Sequence, residues 1–305
     1  MLRREFLAGM AGAAALPGAA GTPLIETHVH IFDPELYPYH KLAPYKAPAS
    51  TLKDYLKFAK AAGIDHTLIV HPEPYQDDHS HLEYCFANEG TPGFFKGTCL
   101  FDPQDPATAK RMTELVKKLP KRIVALRIHE QGKPGESYSC ICDGEGPIKD
   151  RDLSDPVVRS SWKAAVDLGL AVQMHFLPHH APSIYKIASE FRSGAVILDH
   201  MGRAGMGKPE DFDEVLKLAK LPKAYFKFSG VRYSSKQDVP YADAAPYVRR
   251  AFEAFGPERI LWGGLGHNMA EHEAAKKVFD HHFAFTTEEQ RAMVRGKNAA
   301  RLFGW

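Results

Sequence analysis

Several things are scarce in this sequence, and each shortage removes a class of protein. Only four of its 305 residues are cysteine, and no second Cys/His pair stands at finger-like spacing from the Cys140–Cys142 pair. Those two lie too close along the chain to bridge comfortably, and spacing alone assigns Cys85 and Cys99 no partner, so all four read as structural or unpaired. No apolar run approaches the roughly 20 residues that span a bilayer. The formal net charge is only +2, which leaves neither a basic nucleic-acid footprint nor an acidic solvating tail. No glycine-rich phosphate loop follows any strand-like run, which counts against a dinucleotide-binding fold.

What remains is a globular composition, 44% hydrophobic and 25% charged. The length suits two ordinary domains or one α/β barrel, since barrels of about 250 residues are common. The N-terminus differs from the rest. "MLRREFLAGMAGAAALPGAAG" sets Arg3 and Arg4 before a short, mildly apolar stretch that ends in small residues at Gly18, Ala19 and Ala20. Charged region, apolar region and small-residue cleavage site are the parts of a secretory leader. Paired arginines followed by Phe6 and Leu7 resemble the twin-arginine signal. The expectation is a leader over residues 1–20, export to the periplasm or beyond by the twin-arginine machinery, and a single domain over 21–305.

Within that domain, eight strand-like runs alternate with helical patterns. The runs cover residues 24–30, 66–71, 95–101, 123–129, 170–176, 195–200, 224–229 and 259–264. Helical periodicity marks 51–63, 105–119, 156–169 and 209–220, with Thr51, Asp105 and Asp155 placed as N-caps and Gly63 and Gly169 as C-caps. Eight β–α units over about 280 residues fit a closed (β/α)8 barrel better than an open sheet. A Gly- and Pro-rich insertion at 130–156 separates the fourth strand from its helix, a length typical of a lid or binding loop.

The polar residues that end these strands are His30 (with His28), His71, His129, His175, His200 and Ser229. A lone histidine in such a place is usually a satisfied core residue. Five strands delivering imidazoles to the face where barrel enzymes build their sites point instead to catalysis. Arg127 lies two residues before His129, so period-two alternation turns both side chains into the barrel. There an arginine needs an anion, either a substrate carboxylate or Glu26 or Asp199 from the barrel itself.

The segments "ETHVHIFDP", "ALRIHE", "LGLAVQMHF", "VILDHMGR", "YFKFSGVRYS" and "RGKNAARLFGW" resemble, in that order, those of the amidohydrolase-related hydrolases. More narrowly they are similar to the branch of lactonases acting on sugar lactones and on pyrone or muconolactone acids. The resemblance covers nearly all of residues 24–305. It implies a (β/α)8 barrel that hydrolyses an ester or amide bond, with decarboxylation and hydration among relatives. His28 and His30 match the first-strand HxH, His175 the fifth-strand histidine and His200 the sixth. Relatives usually end the eighth strand "WGSDWPH", whose aspartate ligates metal and moves the proton of the attacking water. Here the segment is "LWGGLGHN" and Leu265 holds that place, with no carboxylate between Glu258 and Glu271.

The resemblance therefore leaves two cofactor states open: one divalent ion, zinc by its donors, on His28, His30 and His175, or no metal. The expected replacement base is His200, then His267. His71, Arg127, His129, Arg203 and Tyr233 are the expected substrate contacts, and Arg232 adds a cation beside them. Together they imply a small anionic substrate. Three activities fit: opening of a lactone or ester, decarboxylation or hydration of an aromatic or unsaturated acid, and binding without turnover.

Overall fold

The structure, a computed structural model, describes residues 21–41, 43–130, 138–140, 144–146 and 152–305. The expected leader and most of the 130–156 insertion lie outside the described residues. Cys85 and Cys99 are buried free thiols.

Eight strands form one parallel sheet in chain order. They are β1 (Ile25–Val29), β2 (His66–Val70), β3 (Phe95–Leu100), β4 (Ile123–Glu130), β5 (Ala171–Phe176), β6 (Val196–Leu198), β7 (Ala224–Phe228) and β8 (Ile260–Trp262). Helices α1 (Leu52–Ala62), α2 (Ser80–Ala87), α3 (Thr108–Lys118), α4 (Pro156–Asp167), α5 (Ala181–Glu190), α6 (Pro209–Lys217), α7 (Ala245–Phe255) and α8 (Met269–His282) follow the strands. A short antiparallel pair, Tyr138–Cys140 with Gly144–Gly146, lies in the insertion after β4.

Local chemistry explains where the elements begin and stop. Thr51 caps α1 by accepting from the Asp54 amide, and Gly63 ends it in the left-handed region at φ 68°. Asp155 caps α4 in the same way, accepting from Val157. Asp105 departs from its expected role: it accepts from the Ala107 amide, and α3 begins only at Thr108.

Two apolar regions hold the barrel. The larger lies between strands and helices, around Trp162, Phe95, Phe226 and Phe255. The smaller fills the N-terminal end of the barrel, where Ile25, Leu68, Ala125, Ile197 and Leu261 meet Ala299 and Phe303 of a last helix, α10 (Asn298–Phe303), which follows the short α9 (Glu288–Ala292).

The β8–β1 seam is closed by side chains. Thr27 Oγ1 donates to the Trp262 carbonyl at 2.5 Å, and Lys227 Nζ donates to the Thr27 carbonyl at 3.0 Å. The Glu26 carboxylate accepts from the amides of His28 (2.7 Å) and Gly264 (2.8 Å). A Cβ at Gly264 would lie 2.9 Å from Glu26 Oε2, so this clasp requires glycine there.

Candidate active site

Period-two alternation stacks the barrel interior in layers. Above the apolar plug, Arg127 (β4), Gln173 (β5) and Lys227 (β7) converge on Asp199, just past β6. Arg127 Nε donates to Asp199 Oδ2 at 3.0 Å and Gln173 Nε2 to the same oxygen at 2.9 Å. Lys227 Nζ pairs with Oδ1 at 3.2 Å. Burial pushes the Asp199 carboxyl up, but Lys227 and Arg127 outweigh it and hold the group well below the usual range. At Glu26 burial prevails and raises the carboxyl to about 8. The layer thus sets the Arg127 guanidinium and the Lys227 side chain around one carboxylate, Asp199. Of the two anions sequence reasoning offered Arg127 within the barrel, the structure selects Asp199.

The next layer is histidine. His28 is fully buried, its ring 4.4 Å from that of His200. Its Nδ1 lies 3.6 Å from Asp199 Oδ1, beyond hydrogen-bond reach, and both its ring nitrogens lack a hydrogen-bond partner. Burial lowers His28 to about 3. A bulge between Glu26 and Val29 interrupts the β1 register, so the HxH pair does not simply alternate along a regular strand. The two rings stand 5.2 Å apart and nearly perpendicular, and His30 Nδ1–H donates to the Val70 carbonyl at 2.7 Å.

After β6 the chain turns through four residues with positive φ: His200 (51°), Met201 (59°), Gly202 (57°) and Arg203 (53°). Left-handed backbone costs a non-glycine residue about 1–2 kcal/mol, and such strain gathers at functional sites. Here it brings both His200 and Arg203 to the mouth. His200 Nδ1 meets Ser229 Oγ at 3.0 Å. Burial, then His28, lowers His200 well below the ordinary histidine range, with Asp199 opposing. Arg203 is fully buried, donates to His175 Nε2 and lies 4.3 Å from the centre of the Tyr233 ring. His175 Nδ1 faces His129 Nδ1 at 3.4 Å, and His129 Nδ1 lies 3.3 Å from Glu73 Oε1.

These groups line a cavity of about 470 Å³, with His30, Arg127, His129, His175, His200, Arg203, Arg232, Tyr233 and His267 in its wall. Ser50 Oγ meets His267 Nδ1 at 2.8 Å, which fixes that ring in the wall. His71 lines neither this cavity nor its neighbour. Its Nε2–H donates to the Gln76 carbonyl at 3.0 Å and so holds the β2–α2 loop.

Among the described residues, the donor atoms that gather as a metal site would are those of His28, Asp199 and His200, all within 4.8 Å of one another. That set differs from His28, His30 and His175. The Arg203 guanidinium takes the His175 Nε2 lone pair, whereas the His30 Nδ1–H bond to the Val70 carbonyl leaves its Nε2 able to ligate. The orphaned nitrogens of His28 fit a divalent ion.

A profile for the family described as Amidohydrolase matches residues 25–305. The chain belongs to the amidohydrolase family. Among relatives, a 4-sulfomuconolactone hydrolase from Hydrogenophaga intermedia is 27% identical over 291 residues, covering 92% of this chain and 88% of its own. A D-galactarolactone isomerase from Agrobacterium fabrum is 28% identical over 278 residues, covering 88% and 84%. A probable 2-pyrone-4,6-dicarboxylic acid hydrolase from Acinetobacter baumannii, solved with citric acid bound, shares the fold at a TM-score of 0.73. It is 18% identical and covers 92% of this amidohydrolase and 99% of its own chain.

Sequence reasoning missed Lys227, Gln173 and Glu73. A signal existed for the first two. Lys227 interrupts the aromatic run "YFKF" two residues before Ser229, and Gln173 precedes His175 by two, the same inward phase.

Proposed function

We propose that this amidohydrolase hydrolyses the ring ester of a small lactone that carries a carboxylate or similar anion. The observation that carries the reading is a cavity whose wall joins histidines to the guanidinium groups of Arg127, Arg203 and Arg232. Arg203 and Arg232, both near the Tyr233 ring, suit the anionic arm of the substrate. The relatives' names, a sulfomuconolactone hydrolase and a galactarolactone isomerase, support a lactone as the electrophile.

A single divalent ion, zinc by its donors, fits His28, Asp199 and His200; when bound it polarises a carbonyl and acidifies water. The chain's own groups do the rest. In the metal-free protein neutral His200, braced by Ser229, hydrogen-bonds the carbonyl oxygen under attack; with the ion bound the same nitrogen would be its ligand. Arg127 and Lys227 keep Asp199 ionised beneath it. His267 and Tyr233 bound the lactone ring on the outer side. Incubation with a panel of carboxylated lactones in unbuffered solution is expected to release acid. Carbon dioxide release from aromatic acids, with no acid from lactones, would move the activity to decarboxylation.

Export is part of the same proposal. Among the described residues no helix is long and apolar enough to cross a membrane, and Arg3 and Arg4 stand where the twin-arginine signal has them. Replacing both with lysine is expected to leave the protein in the cytoplasm; unchanged export would refute the signal.

A further inference from the structure

We propose that β8 and α8 form an apolar arm of the mouth that takes an alkyl or aromatic substituent of the lactone, with Leu265 setting that preference. The inference rests on the lactone-opening reading and names the other half of its substrate. In the eight-strand ring β8 stands opposite β4. The guanidinium groups in the cavity wall, Arg127, Arg203 and Arg232, come from β4 and from the turns after β6 and β7. The β8 and α8 side differs in kind. It contributes Trp262, Leu265, Ala274, Ala275 and Val278.

Helix geometry explains how α8 supplies its share. Glu271, Ala274, Ala275 and Val278 recur at i, i+3, i+4 and i+7, so they lie along one face. Asn268 starts the helix by accepting from the Glu271 amide at 3.0 Å. The Glu271 carboxylate accepts from the His267 amide at 2.7 Å, which ties it to the loop at the first turn. The three residues that follow it on that face carry only methyl and isopropyl groups. From Ala274 to Val278 the helix rises about 6 Å at 1.5 Å per residue, the length of a short alkyl chain or a phenyl ring. Alanine at two of these positions leaves the space that a longer side chain would fill.

Leu265 is the residue whose identity the backbone does not explain. Its φ is 59°, in the left-handed region that glycine, asparagine and aspartate enter far more readily. Leucine stands there at a cost in strain, half-buried in the cavity wall. Over asparagine, which has nearly its shape, leucine adds apolar surface and nothing else. A ligand that covers this surface removes it from water, which favours binding about fourfold per buried methylene. A polyhydroxylated arm would have to give up its water there for no hydrogen bonds in return.

The test uses carboxylated lactones that differ in one ring substituent: hydrogen, methyl, ethyl, propyl or hydroxymethyl. In wild type kcat/KM should rise about fourfold per methylene to propyl. Ethyl should exceed hydroxymethyl, its near isostere, by about 10- to 100-fold. Leu265→Asn, which suits the backbone, should flatten the series. Ala275→Leu, which suits the helix, should end it at methyl. Straight-chain carboxylates give a readout apart from turnover. By calorimetry hexanoate should bind wild type more than about tenfold tighter than propionate, with a more negative heat-capacity change, and Ala275→Leu should erase the difference. A flat wild-type series overturns the inference, and so does a series that either variant leaves intact. A wild-type protein that opens no lactone, yet still sorts the carboxylates by chain length, overturns the functional reading alone.

Discussion

The two ends of this barrel each hold a cavity, and the larger one is at the end without catalytic groups. The cleft at the N-terminal end measures about 760 Å³, against about 470 Å³ at the mouth. Its walls are apolar side chains with Lys96, Lys121, Lys223 and Arg301, and among the described residues its lining contains neither histidine nor carboxylate. Lys96 serves the fold: its ammonium donates to the carbonyls of Phe303 and Gly304, tying β3 to the end of α10. At the mouth, strained backbone, bridged carboxylates and buried neutral imidazoles crowd into the smaller volume. Volume alone would have chosen the wrong end. In a (β/α)8 barrel the C-terminal face carries chemistry and the N-terminal face carries stability, and the residues at each end divide accordingly.

The sharpest way to break that division is to damage each end and measure both properties. His200→Asn should lower kcat about 10²–10³-fold, the usual loss for a donor to a developing oxyanion, with a melting temperature near that of wild type. Phe303→Ala should do the reverse. Removing a buried phenylalanine typically costs about 3–5 kcal/mol, read as a lower urea midpoint with kcat retained. A His200 variant that unfolds, or a Phe303 variant that loses kcat at full folding, would show that the ends are not separable.

Acid should distinguish the ends more gently. Burial lowers His28 and His79 to about 3 and His81 to about 4, from 6.5. Between those values the unfolded chain binds more protons, so stability falls as pH drops below 6.5. Glu26 acts with the opposite sign. Its carboxyl is raised from 4.5 to about 8, so stability from this group falls as pH rises through that window. Where the windows overlap, the lowered histidines outnumber the one raised carboxyl, so the net effect is a loss of stability as pH falls. The expected profile of urea midpoint against pH peaks near 6.5 and falls more steeply on the acid side. A flat profile from pH 7 to 5 would contradict the buried neutral histidines.

Much of this architecture is legible in the amino-acid sequence, for reasons particular to each part. Strand limits follow from short β-branched runs bounded by turn residues, and β3, for example, ends one residue from its expected limit. The inward phase of Arg127 and His129 follows from a period of two. The tail "RGKNAARLFGW" is visible as a family segment, but its plugging of the barrel floor is not, because that role depends on packing against strands far away in sequence. The Arg127–Asp199 pair is among those the inward phase offers, but the convergence of Gln173 and Lys227 on the same carboxylate is not, because they come from strands widely separated in sequence. The β1 bulge leaves no mark in "IETHVH". Glu73 lies in a loop, where no periodicity indicates direction.

The central claim is that the mouth selects an anionic lactone, and one ratio tests it most directly. We would measure kcat/KM for a lactone carrying a free carboxylate and for the same lactone with that group as a neutral amide, in wild type and in Arg203→Met. A charged hydrogen bond is typically worth about 1.5–3 kcal/mol, so wild type should prefer the acid by roughly 10- to 100-fold. The preference should largely vanish in the variant. Equal values for acid and amide in the wild-type protein would contradict the account.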